Sequence, residues 1–109
     1  MDHHVHGAIT RGLRRRGVDC LTLHEDGTAR DDDEVVLIRA MNLGRVLVSG
    51  HDDLLKIATG WLATGRDFAG LVFCHPLRVT IGQAIEDLQL VAEVLNDDEM
   101  KNMVQYLPL

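Results

Sequence analysis

Ser49, His51, Asp52 and Asp53 stand within five positions of one another, directly after the apolar run Val46-Leu47-Val48. A hydroxyl, an imidazole and two carboxylates could together bind a ligand, and a carboxylate after a strand also suits acceptance of a phosphoryl group. The second chemistry needs a lysine after a later strand to hold that group. The exit Phe73-Cys74-His75-Pro76 has none, and Lys56 and Lys101, the only lysines, fall elsewhere. A plainer role is open to the same turn, in which Ser49 or Asp52 caps a helix beginning near Leu54 by accepting backbone N–H bonds.

The elements that must position this turn follow from the patterning. Val46, Leu47 and Val48 are consecutive, as expected of a parallel strand covered on both faces. Open α/β sheets bind ligands beyond the carboxyl ends of their strands, where the 49–53 turn falls. Upstream, Ala8, Ile9 and Leu13 at helical spacing predict a first helix ending at Gly17. Val18–Leu23 mixes alternation with β-branched residues and reads as a strand, with His24–Arg30 as its polar exit loop. Asp31, Asp32 and Asp33 open a second helix that runs to Leu43 and stops at Gly44, and acids there favour the positive helix end. A third helix runs from Asp53 to about Thr64 and closes at Gly65. Gly70–Cys74 is another unbroken apolar strand, ended by His75-Pro76. A long amphipathic helix extends from Thr80 to near Asn96, followed by a short helical turn between Asp97 and Val104 and a strand or packed tail at Gln105-Tyr106-Leu107. Strand–helix alternation with crossovers of about a dozen residues or more predicts an α/β domain in which Val18–Leu23, Arg45–Ser49 and Gly70–Cys74 are parallel.

A chain of 109 residues with 46% hydrophobic content supports one core, so positions 1–109 read as a single domain. Seventeen acids against eleven bases give a formal charge of -6, which argues against the broad basic surface of a general nucleic-acid binder. Cys20 and Cys74 each lie in an apolar segment and are expected to be buried, reduced thiols of a cytoplasmic protein. Asp2-His3-His4 stands where a secretory leader would be basic and then apolar, so no leader is expected. No apolar run approaches the roughly 20 residues of a membrane span.

Three features add to this reading: the turn Asp2-His3-His4, the helix-opening Asp33, and the run from Gly44 to Asp53. Together, and across nearly the whole chain, they resemble the small PIN-like domain family, mostly uncharacterised proteins related to the PIN nucleases of toxin–antitoxin pairs. The corresponding family motifs are an Asp-x-His/Asn turn after a first strand, an Asp opening the second helix, and Gly-Arg-Val-Leu-Val-Thr/Ser-x-Asp-x-Asp. The resemblance implies a three-layer open parallel sheet whose acids gather at the carboxyl edge, hold Mg²⁺ or Mn²⁺ and assist water in cutting RNA, chemistry that suits hard divalent ions. Carried over, it makes Asp2, Asp33 and Asp53 catalytic and metal-binding, with His51 as a further ligand. His4 and Ser49 would lie beside the substrate, and Arg11, Arg14 and Arg15 would meet RNA phosphates. The implied partner is a small helix-turn-helix protein of antitoxin type.

The chain departs from the family pattern at three places. His51 replaces the first aspartate of the Ser/Thr-x-Asp-x-Asp run, and imidazole suits Mn²⁺, Zn²⁺ or Ni²⁺ better than Mg²⁺. Val35 stands where a second acid is common, with Glu34 on a different helix face. The first strand, which should precede Asp2, is reduced to Met1, so that either the start lies upstream or the sheet has lost most of a strand. The absence of an acid at both Val35 and His51 favours an alternative, a catalytically degenerate binding module on the same scaffold. The arginines equally suit a solvated helix face. His3, His4 and His6 lack the cysteine pair or HExxH frame of a zinc site. Trp61 reads as packing, and Tyr106 as packing or a homodimer contact.

Overall fold

The structure, a computed structural model, describes residues 7–75 and 77–109. Three short parallel strands form the sheet: β1 (Leu47–Ser49), β2 (Leu71–Phe73) and β3 (Val104–Tyr106), with β2 in the middle. Helices α1 (Gly7–Arg15), α2 (Leu23–Asp26) and α3 (Asp33–Leu43) precede the sheet. The crossovers are α4 (Asp52–Thr64) between β1 and β2, then α5 (Ile81–Val94) and α6 (Asp97–Met100) between β2 and β3. The chain is thus an α/β protein with a small open parallel sheet, and α3 and α4 end at Gly44 and Gly65 in left-handed conformations, as the sequence predicts.

Successive residues of a strand point to opposite sides, so an unbroken apolar strand feeds two cores. Leu47 and Leu71, which are register partners, pack with Val36 and Leu37 of α3, Leu54, Ala58 and Trp61 of α4, and Phe68. Val48 and Val72 pack on the other face with Ile9 and Leu13 of α1 and Ala84, Leu88 and Val91 of α5. Where α1 meets α5, Gly12 faces Ile85, and a Cβ there would stand 2.4 Å from Ile85 Cδ1. Gly70, at φ +119°, lies so close to α6 that a Cβ would stand 2.5 Å from the Met100 carbonyl oxygen. Asn102 ties the entries of β2 and β3 together, accepting from the Phe68 N–H (2.8 Å) and donating to Asp67 (2.9 Å).

The expected strand Val18–Leu23 is not formed, and the third strand is β3 on the far side of β2. Positions 18–22 are irregular, and His24–Arg30 is not simply a loop, since it holds most of α2. The reason is local. The Thr22 hydroxyl accepts from the Glu25 N–H (3.1 Å) while the Glu25 carboxylate accepts from the Thr22 N–H (3.0 Å), a capping box that starts a helix where a ladder would have to continue. Arg14 then pairs with Glu25 and donates to the Cys20 carbonyl (2.9 Å). The Arg14 hydrogen bond, helped by Thr22, holds the Glu25 carboxyl down at about 2. A cavity of about 470 Å³ separates this segment from the outer edge of β1, lined by Val18, Cys20, Leu21, Val46 and Val48 among others.

Cys74 is buried and Cys20 half-buried, both as free thiols, and burial pushes each above the ordinary thiol range, so neither is an activated nucleophile. Among the described residues no helix is long and apolar enough to cross a membrane.

Candidate functional site

Two helix starts build the site. β1 ends at Ser49, a residue with no exposed surface, whose hydroxyl accepts from the His51 N–H at 3.0 Å and so folds the chain out of the strand. His51 becomes the N-cap of α4, but its side chain makes no capping bond, and Asp52 and Asp53 fill the first turn. The α3 start is alike: Asp32 is the N-cap without a side-chain capping bond, and Asp33 and Glu34 follow. Since α3 and α4 pack side by side on one face of the sheet, their first turns are brought together.

Asp33 and Asp53 lie far apart in sequence, and the imidazole of His51 lies between them. Nδ1 is 3.2 Å from Asp33 Oδ2 and Nε2 is 3.5 Å from Asp53 Oδ2. Among the described residues these three form a group whose candidate ligand atoms all lie within 4.8 Å of one another. Asp53, with 62% of its side-chain surface open, faces solvent, whereas Asp33 and His51 are more enclosed at 29% and 33%. A ligand therefore reaches the group from the Asp53 side. The donor set fits a divalent cation: two carboxylate oxygens supply charge, and a cation taking one ring nitrogen leaves the other to donate to a carboxylate, the arrangement that orients metal-bound histidines.

The other residues singled out from sequence are distributed differently. Asp2 and His4 lie outside the described residues. Ser49 is sealed beneath the turn, so its hydroxyl shapes the site without facing it. Arg11, Arg14 and Arg15 are exposed on α1, whose Ile9 and Leu13 enter the core on the opposite face of the sheet, and the structure does not bring them into the cluster. Arg14 is instead engaged by Glu25. Asp52 neither caps α4 nor joins the group.

The neighbouring strand ends add Phe73, which the sequence did not mark, and Tyr106. Ser49, Phe73 and Tyr106 are register partners, one at the last position of each strand. The strand register reveals this row, because Ser49, Phe73 and Tyr106 lie far apart in sequence and meet across the central strand. Compared with protein-family models, curated proteins and solved structures, the chain matches none of them.

Proposed function

We propose that this chain is a metal-dependent ribonuclease of PIN-like type, with Asp33, His51 and Asp53 as the residues that hold its cation. One observation carries the reading: two carboxylates and an imidazole from separate helix starts converge at the carboxyl end of β1, within 4.8 Å. A divalent cation bound there would polarise a phosphate oxygen and lower the pKa of a bound water. Asp33 and Asp53 supply negative charge for it, and His51 fixes the spacing between them. The imidazole favours Mn²⁺ over Mg²⁺. A role as the toxin of a toxin–antitoxin pair, with a helix-turn-helix partner, rests on the sequence resemblance.

A second reading, a binding module on the same scaffold that does not cut, is favoured by His51 and Val35 standing where the family pattern has acids. One set of measurements separates the two. Millimolar Mn²⁺ should raise the melting temperature of the parent but not of Asp33→Asn or Asp53→Asn, and the parent should cut single-stranded RNA in Mn²⁺, with His51→Ala inactive. If the parent cuts in neither ion while His51→Asp gains Mg²⁺-dependent cleavage, the binding module is the better description. If no divalent cation moves the parent's melting temperature, the three side chains share no cation and the nuclease reading fails.

A further inference from the structure

We infer that Tyr106 is a stacking platform for a nucleobase of single-stranded RNA at the carboxyl edge of the sheet, an inference that rests on the nuclease reading and states where its substrate lies. Side chains two apart on a strand share a face. Leu47, Leu71 and Val104 all pack toward the core beneath α3 and α4, so the row Ser49, Phe73 and Tyr106, two residues further on, lies on that same face. The helices packed on that face of the sheet carry Asp33 and Asp53 in their first turns. With strands about 4.8 Å apart, Tyr106 stands roughly 10 Å across the row from Ser49. A nucleotide and its neighbour can span that distance.

The tyrosine ring is both held and open. Phe73, itself buried, meets it edge to face at 6.1 Å and 71°, while Tyr106 keeps 52% of its surface exposed. Such a contact orients the ring through part of its surface and leaves the remainder to a second aromatic. The His75 ring also lies 6.1 Å from Phe73, with Nδ1 accepting from the Leu77 N–H at 3.1 Å. Arg78, in the same turn, is exposed and makes no ion pair among the described residues, so a cation stands on this edge to meet a phosphate. An oriented, exposed ring at one strand end, with a cation in the turn that follows the neighbouring strand, offers what an unpaired base and its phosphate require, whereas a duplex hides its base faces.

The test uses the whole chain and a hexaribonucleotide carrying 2-aminopurine, first without divalent cation. The parent should bind and quench the probe, Tyr106→Ala should bind about tenfold more weakly or worse and lose the quenching, and Tyr106→Phe should behave as the parent. Arg78→Ala should weaken binding and flatten its salt dependence. Equal binding by the parent and Tyr106→Ala overturns the inference, as does a Tyr106→Ala effect that appears only as a change of oligomeric state. Tighter binding of the matching deoxyribonucleotide overturns the choice of RNA. A parent that binds no oligonucleotide yet is stabilised by Mn²⁺ loses the stacking platform and keeps the cation site. Tyr106-dependent binding without any response to cations supports the platform and removes the nuclease reading.

Discussion

Four of the helix starts of this protein form two contrasting pairs. At α2 and α5 the N-cap is a threonine, Thr22 or Thr80, whose hydroxyl accepts from the backbone N–H of Glu25 or Gln83 at 3.1 Å. At α3 and α4 the N-caps are Asp32 and His51, and neither side chain closes its helix. Histidine is not a favoured capping type, which accounts for α4, but aspartate is among the best, so residue type does not explain the open cap of α3. Both helices are anchored elsewhere. Val36 and Leu37 of α3 and Leu54, Ala58 and Trp61 of α4 sit in the core against Leu47 and Leu71, which frees the polar first turns to face one another. Side chains that are not needed to finish a helix are available for chemistry.

The largest effect should come from removing the anchor of an uncapped helix. Leu54 is 1% exposed, and Leu54→Ala should cost about 2–5 kcal/mol in denaturant melts; a loss under about 1 kcal/mol would mean that α4 is held by something other than its core contacts. Next comes the cap itself. Thr80→Ala should cost about 0.5–2 kcal/mol, whereas His51→Ala without added cation should change stability by less than about 0.5 kcal/mol, and equal losses at the two positions would erase the distinction between the pairs.

The smallest effect is an acid limb peculiar to α2. Glu25 has a folded-state carboxyl at about 2 against an ordinary 4.5, held down by Arg14 and Thr22. Its contribution is therefore complete above about pH 4.5 and lost as pH falls toward 2. Arg14→Gln should flatten the fall of melting temperature across that window, and a slope identical to the parent's would show that the pair does not form in solution.

Much of this architecture is legible in the residues. Val46-Leu47-Val48 and Leu71-Val72-Phe73 read as doubly covered strands because their unbroken apolar character has no other soluble use, and Gly44 and Gly65 mark helix ends by backbone preference. Val18–Leu23 misleads because β-branched alternation competes with a capping signature, Thr22-Leu23-His24-Glu25, that lies in the same letters. There the local hydrogen bonds prevail. The site is half legible. The acid and imidazole content of the 49–53 turn is plain, but the meeting of Asp33 with His51 depends on α3 and α4 lying side by side, which no spacing within either segment encodes. Ser49 misleads in the opposite sense, since a hydroxyl at a strand end suggests a ligand contact until its complete burial is seen.

The in-register parallel arrangement of the three strands bears on how such a chain can change over evolution. All segments leaving the strands emerge on one edge, and all segments entering them arrive on the other. Insertions after Ser49, Phe73 or Tyr106 therefore accumulate around a common rim, while the entry side keeps tight fits such as Gly70 against Met100. New specificity can be tried on the rim one loop at a time, with the two cores left as they are.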